Sequence, residues 1–239
     1  IINFSAPICF GQNNGAATVG VTGGTGAYTY LWNDPALQSS ATAANLAPGS
    51  YTVDIRDANN CTTSVSVAIP ATPAIVIEVL AQFDPICAGD SNGSISVSAS
   101  GGTGTLSYAW SNGPNSPALS DLPAGNYTLS VTDGNGCVQV QAFELMPAPE
   151  IVIQLTEAIP PICANENTGR IGVTATGGTL TFSYLWSNGA TGAMIAQLAG
   201  GQSYQVTATN TAGCSQTFSV DLPGGAVVEA AGIPADTTL

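Results

Sequence analysis

The sequence predicts an all-β chain made of three tandem antiparallel β-sandwich units. Three observations predict it. Landmark residues recur about every 76 positions, short alternating strands are punctuated by Gly, Asn and Pro, and no helical periodicity occurs anywhere. A length of 239 residues would suit two domains of ordinary size, but a fixed period with fixed internal landmarks marks an array of one unit. The first cysteines of the units are Cys9, Cys87 and Cys163, and the second are Cys61, Cys137 and Cys214. Trp32, Trp110 and Trp186 each lie 23 residues after a first cysteine, and Tyr51, Tyr127 and Tyr204 each lie 10 before a second. The expected units are 1–72, 73–148 and 149–223, with 224–239 as the start of a further unit or a tail.

Within a unit the elements follow in a constant order. After the first cysteine comes a turn (Asn14-Gly15, Asn92-Gly93, Thr168-Gly169), then an alternating strand at 17–22, 94–100 or 170–176. Gly-Gly-Thr at 23–25, 101–103 and 177–179 reads as a turn, because no helix signal or Lys-Ser/Thr follows it as a phosphate loop would need. An aromatic strand then ends at the tryptophan. Trp-Ser-Asn-Gly at 110–113 and 186–189 signals a tight turn, since Asn-Gly readily takes positive φ. The first unit has Asn33-Asp34-Pro35 there instead. Leu46, Leu122 and Leu198 lead into the tyrosine strand, and a Gly- or Asn-bearing turn closes on the second cysteine. A last strand (63–69, 138–145, 216–222) runs to Pro70, Pro147 or Pro223. Pro-rich linkers pass at once into apolar strands at Ile75 and Ile151, which predicts semi-rigid connections. Ile1-Ile-Asn-Phe reads as such a strand already under way and 226–230 as the next one beginning, so a segment of a longer array is expected.

Composition removes whole classes of function. Two basic residues, Arg56 and Arg170, against fifteen acids give a net charge of −13, which cannot neutralise a run of phosphates and so excludes nucleic-acid binding. Without histidine there is no Ser-His or Cys-His nucleophile and no histidine metal site. No apolar stretch approaches the roughly 20 residues of a membrane-spanning helix, so membrane insertion is not expected. Paired carboxylates for acid–base catalysis need a cleft and two well-placed acids, whereas here the acids are sparse and shift between units. No cofactor and no enzymatic activity are expected.

The cysteines do not form zinc sites, since no CxxC occurs and no histidine can complete a set. Two disulfide patterns respect the repeat. One pairs within units, as Cys9–Cys61, Cys87–Cys137 and Cys163–Cys214. The other joins neighbours, as Cys61–Cys87 and Cys137–Cys163, and strands Cys9 and Cys214. The first is preferred, because a 76-residue unit buries little surface and closing a loop of about 50 residues adds roughly 4 kcal/mol. It requires an odd number of full strand passes between the tryptophan and tyrosine strands; two full passes would put the sulfurs at opposite poles. Disulfides imply an oxidising, extracellular compartment.

The other landmarks read as architecture. Each tryptophan is expected in a sandwich core rather than on a sugar-stacking platform. The Leu-x-x-Gly-x-Tyr segments at 46–51 and 122–127 resemble a tyrosine corner, in which the phenol pins a crossover to backbone. One extra residue between Leu198 and Tyr204 predicts a looser corner in the third unit. Asp57 and Asp133 precede the second cysteine and are the calcium candidates. Asn210 fills that slot in the third unit, no slot is acidic in all three, and no DxDxDG-like run exists. Asx side chains at turns also bond to backbone.

Taken together, Cys-x(5)-Gly, Gly-Gly-Thr-x(4)-Tyr-x-Trp, Leu-x-x-Gly-x-Tyr-x-Val and Asp-x-Asn-Gly/Asn-Cys resemble the SprB repeat, named for a gliding-motility adhesin of Bacteroidota. The match runs through Cys9, Gly23-Gly24-Thr25, Tyr30, Trp32, Tyr51, Asp57 and Cys61, and through Cys87, Gly101-Gly102-Thr103, Tyr108, Trp110, Tyr127, Asp133 and Cys137. The third unit matches at Cys163, Gly177-Gly178-Thr179, Tyr184, Trp186, Tyr204 and Cys214 and departs at Asn210. The resemblance implies Ig-like or PKD-like sandwiches in an extended array, in a large cell-surface protein exported by type IX secretion. It further implies adhesion to polysaccharide or another extracellular ligand, and O-glycosylation at Asp-Ser/Thr-x sites, of which Asp236-Thr237-Thr238 is the match. The expected partners are adjacent repeats of the same chain, a surface polysaccharide and other copies in lateral association. The competing readings are carbohydrate-binding modules, or passive spacers of a secreted enzyme or other secreted protein.

Overall fold

Each repeat alternates inward apolar with outward polar side chains, and in a computed structural model, which describes residues 2–178 and 181–227, each alternating run is a strand. The first repeat supplies β1 (Ile2–Ser5), β2 (Gly15–Val19), β3 (Thr29–Trp32), β4 (Thr42–Leu46), β5 (Gly49–Arg56) and β6 (Thr62–Ile69). The second supplies β7 (Val76–Phe83), β8 (Gly93–Ser100), β9 (Ser107–Trp110), β10 (Ala118–Leu122), β11 (Gly125–Thr132) and β12 (Val138–Leu145). The third supplies β13 (Val152–Ile159), β14 (Gly169–Thr176), β15 (Phe182–Trp186), β16 (Met194–Leu198), β17 (Gln202–Asn210) and β18 (Ser215–Leu222). The described residues are all-β, with no helix among them.

Every repeat makes two three-stranded sheets with one topology. The sheet orders are β1-β2-β4 and β3-β5-β6, then β10-β8-β7 and β12-β11-β9, then β13-β14-β16 and β15-β17-β18. The two sheets of a repeat face each other over a shared core. In β5, Val53 and Ile55 point inward while Asp54 and Arg56 point out, as a period of two requires. Trp32, Ala43, Leu46, Val53 and Ile69 belong to the first core, and Ile171, Trp186, Leu198, Val206 and Leu222 to the third. In the second repeat Trp110 and Phe143 meet with ring centroids 5.2 Å apart. Backbone contacts divide the chain into two compact units, one of residues 1–83, 94–120 and 126–144, the other of 84–93, 121–125 and 145–239.

The strand expected at 17–22 is β2, which begins at Gly15 and ends at Val19. It ends at Val19, opposite Ile2 of β1, whereas β8 and β14 keep pairing with β7 and β13 as far as Ser100 opposite Val76 and Thr176 opposite Val152. The other strands expected within the three repeats begin within a residue of the observed ones, and the strand expected at 226–230 lies largely outside the described residues. Ile1, Thr179 and residues 228–239, including Asp236-Thr237-Thr238, lie outside the described residues.

The larger difference concerns direction. After β3 the chain turns back on itself. The Trp32 N–H bonds to the Gln38 carbonyl, and the segment through Ala41 runs back before β4 begins. Trp110 to Pro114 and Trp186 to Ala190 repeat this bond. That short return is a second pass between the tryptophan and tyrosine strands. β5 therefore ends with Arg56 opposite Thr29, at the pole of the β2–β3 loop, while β1 ends with Ser5 opposite Ala16, at the other pole. Cys9 and Cys61 consequently sit at opposite ends of their sandwich, and the expected intra-repeat disulfides do not form. Neither does the second expected pattern. The described disulfides are Cys9–Cys137 and Cys87–Cys214, each joining the first cysteine of one repeat to the second cysteine of the next. Cys61 and Cys163 are unpaired and exposed.

Candidate functional site, the stapled junction between repeats

The first cysteine of each repeat sits in a loop that local hydrogen bonds shape in advance. Residue i+3 donates its N–H to the cysteine carbonyl, as Gln12 to Cys9 (3.2 Å), Asp90 to Cys87 (3.1 Å) and Glu166 to Cys163 (3.2 Å). Asn14 and Asn92 close the first two loops by accepting the N–H of Ile8 (3.0 Å) and Ile86 (2.9 Å). Asn14 and Asn92 also donate through Nδ2 to Gln12 and Asp90. Gln12 and Asp90 are therefore part of this loop's scaffold in the first two repeats.

The second cysteine is positioned by the Asx residue four places before it. Asp57 Oδ1 accepts the N–H groups of Asn59 and Cys61, both at 2.9 Å, and its Oδ2 accepts that of Thr25 at 3.1 Å. Asp133 does the same with Asn135 and Cys137 at 2.9 Å and Thr103 at 2.8 Å. Asn210 keeps the Oδ1 half, accepting from Ala212 and Cys214 at 3.0 Å. Three donors aimed at one carboxylate stabilise its charged form. The N–H groups of Cys61, Thr25 and Asn59 hold Asp57 below the usual range. At Asp133 burial pushes the carboxyl up, and the N–H groups of Cys137, Thr103 and Asn135 outweigh it, so its pKa is lowered too. The calcium candidates thus spend their oxygens on backbone donors. Among the described residues no three Asp, Glu or Cys side chains gather into a metal-holding group.

The linker completes the junction. Thr72, buried between repeats, donates its hydroxyl to the Pro7 carbonyl of the first repeat. Three residues on, the chain lies against the Gly-Gly pair of the second. A Cβ on Gly101 would stand 1.9 Å from the Ala74 carbonyl oxygen, and one on Gly102 would stand 3.0 Å from the Ile75 side chain. In the third repeat a Cβ on Gly177 would stand 1.8 Å from the Glu150 oxygen, and Ile151 lies over Gly178. The glycines are a turn, as their sequence suggests, and also the seat of the linker. The two-glycine motif standing at the same place as an apolar residue after each Pro linker is the signal that could have shown this. Cys9–Cys137 brings Cα atoms to 5.6 Å and Cys87–Cys214 to 5.5 Å. Solvent-open clefts of about 370 Å³ beside Cys9–Cys137 and about 610 Å³ beside Cys87–Cys214 are lined by linker and loop residues.

The remaining landmarks lie away from this junction or behind it. Trp32, Trp110 and Trp186 are 0%, 5% and 2% exposed, and each indole N–H donates to a carbonyl (Ser40, Ser116 and Gly192) at 2.8–3.0 Å. Tyr51 donates to the Ala47 carbonyl at 3.0 Å and Tyr204 to Ala199 at 3.1 Å. The third corner is as tight as the first, because Gly201 at φ 72° takes up the extra residue. Tyr127 is buried. Asp34 replaces the Ser-Asn-Gly turn of the other repeats. Burial raises its pKa, but bonds from the Gln38 side chain and from the Gln38 and Ala36 N–H groups outweigh this and lower it.

Comparison with known proteins agrees with the repeat. The family model described as SprB repeat matches residues 2–37, 81–115 and 156–191, the first half of each repeat from its opening strand to just past the tryptophan. No curated protein sequence matches the chain. Among solved structures, the N-terminal eight Ig domains of Down Syndrome Cell Adhesion Molecule align at 12% identity and TM-score 0.41, covering 84% of this chain and 33% of that one. Sidekick-1 immunoglobulin domains 1–5 align at 12% identity and TM-score 0.27, covering 84% and 52%. The human Desmocollin-1 ectodomain aligns at 14% identity and TM-score 0.33, covering 87% and 52%. The chain thus spans about a third to a half of the length of these proteins.

Proposed function

Since the chain carries three SprB repeats, we propose that it is a structural and adhesive segment of a large extracellular fibre, similar in role to the gliding-motility adhesin that gives the repeat its name. The covalent junction carries this reading. A disulfide from each repeat to its successor resists separation of neighbours, which a load-bearing surface filament needs and an isolated binding module does not. Disulfides also suit an oxidising, extracellular setting. The near absence of cations favours a surface that avoids non-specific contact with anionic polymers. Burial of all three indoles takes the tryptophans out of any sugar-stacking platform. Export by type IX secretion and a part in gliding belong to this proposal.

Two measurements test it together. Antibody against the chain should label intact cells, and beads coated with the purified chain should resist detachment by flow from polysaccharide-coated glass more than uncoated beads do. Labelling without bead retention would leave a passive spacer as the role. Absence of labelling on intact cells would reject the surface assignment.

A further inference from the structure

Asn-Gly pairs occur at 14–15, 92–93, 112–113, 135–136 and 188–189. Asparagine before glycine is open to deamidation, because glycine has no Cβ to keep its nitrogen away from the preceding side-chain carbon. The fold sorts these pairs. Asn14 and Asn92 are held at both ends of the side chain. Their Oδ1 atoms accept the N–H of Ile8 at 3.0 Å and of Ile86 at 2.9 Å. Their Nδ2 atoms donate to Gln12 at 2.9 Å and to Asp90 at 3.0 Å. Gly15 and Gly93 are buried at the starts of β2 and β8, and a Cβ on Gly15 would stand 2.8 Å from the Leu46 carbonyl oxygen.

Asn112, Asn135 and Asn188 stand with their glycines in exposed turns, and a Cβ on Gly113, Gly136 or Gly189 would meet no described atom within 4 Å. Each of these glycines donates its N–H to the carbonyl three residues back, on Trp110, Asp133 or Trp186. The turns therefore differ in the asparagine side chain. Asn188 Oδ1 accepts the Ala190 N–H at 3.1 Å, while the side chains of Asn112 and Asn135 have no hydrogen-bond partner among the described residues. Both lie in the middle repeat, which has a repeat on each side, so the ends of the sequence do not decide their exposure. One of these turns also carries a staple. Gly136 N–H to the Asp133 carbonyl (3.1 Å) and Cys137 N–H to Asp133 Oδ1 (2.9 Å) place the sulfur that bridges to Cys9. The matching turn of the other staple reads Ala212-Gly213-Cys214, with no asparagine before its glycine.

We propose that Asn135 is a site of spontaneous deamidation that ages the Cys9–Cys137 staple and spares Cys87–Cys214. The Gly136 nitrogen gives its proton to hydroxide and attacks Cγ of Asn135. The side-chain nitrogen takes a proton from water and leaves as ammonia, and a succinimide ring closes. Water then opens the ring at either carbonyl, giving aspartate or isoaspartate. In isoaspartate the main chain runs through Cβ and Cγ and is one atom longer. The N–H groups of Gly136 and Cys137 then no longer reach Asp133 together, and the cysteine loses its fixed position. Either product also adds a negative charge two residues from the Asp133 carboxylate. This inference is independent of the adhesive role proposed above.

The purified chain, incubated in mildly alkaline buffer and followed by peptide mass spectrometry, tests this. Asn112 and Asn135 should deamidate fastest, Asn188 about fivefold slower with its one bond, and Asn14 and Asn92 about thirtyfold slower with two. In the reduced chain unfolded in denaturant all of them should proceed at similar rates. With free thiols alkylated beforehand, the aged chain should lose Cys9–Cys137 to limiting dithiothreitol several-fold faster than fresh chain. Cys87–Cys214 should open at its fresh rate, and Asn135→Gln aged in parallel should keep the fresh rate at both staples. Asn14 or Asn92 deamidating as fast as Asn112 in the folded chain would overturn the sorting. An unmodified Asn135 beside a modified Asn112 would overturn the site. Equal opening of the aged and fresh Cys9–Cys137 staple, or the same acceleration in aged Asn135→Gln, would overturn the effect on the junction.

Discussion

At Asp57 and Asp133 a carboxylate, and at Asn210 an amide, accept the N–H groups of the residue two on and of the cysteine four on. One geometry is thus held by groups with different responses to acid. Both aspartates have folded pKa values below the ordinary 3.8, so their stabilisation is fully present above that value and is lost as pH falls through the folded values. Asn210 has no such loss. Thermal melts from pH 7 down to pH 2.5 should therefore show a steeper acid limb for the natural chain than for the Asp57→Asn, Asp133→Asn double variant. Asp133→Ala, which leaves three N–H donors without their acceptor, should lower the melting temperature at pH 7 more than Asp133→Asn does. Parallel acid limbs would remove the carboxylates from this role. The Asx–cysteine pairing was visible in the sequence as a recurring slot. Its meaning was not, because an acid before a cysteine reads equally as a metal ligand until the N–H donors are placed.

Among the elements, the Gly-Gly loop and the linker depend on each other. A side chain at Gly101 meets the Ala74 carbonyl at 1.9 Å with φ at 80°, whereas at Gly23, with φ at 82°, a Cβ meets no atom of the described residues within 4 Å. Gly23→Ala should cost only the left-handed backbone term, about 1–2 kcal/mol. Gly101→Ala adds a collision with main chain that no rotamer relieves, so it should lower the unfolding free energy by clearly more and raise hydrogen exchange at Ala74 and Ile75. Equal effects of the two substitutions in chemical denaturation would contradict this account of the seat. The strands themselves were largely legible, since alternation in β5, β8 and β18 carries the period-two signal without ambiguity. The return at 38–41 was not. Four residues with no alternation leave no pattern, yet they reverse the direction of everything that follows in the repeat.

At the scale of the whole molecule, that reversal decides the covalent connectivity. Cysteine spacing identified which sulfurs are equivalent but not the pole at which each stands, so pairing within the repeat looked natural and was geometrically closed. The outcome changes how the chain would respond to tension. Force entering at Cys9 passes through its disulfide to Cys137, and force leaving at Cys214 arrives through the disulfide from Cys87. The two loops overlap between 87 and 137, and those 50 residues are the shortest path left between the bridges. Although Cys9 and Cys214 are 205 residues apart in sequence, a pulled and unravelled chain could lengthen between them only to about 175 Å, against about 700 Å without the bridges, at roughly 3.5 Å per residue. Single-molecule pulling from these two ends should show that short contour length in oxidising buffer and the long one after reduction. Overlapping bridges of this kind work as a tether with a hard stop, so a segment that yields under load cannot pay out most of its length.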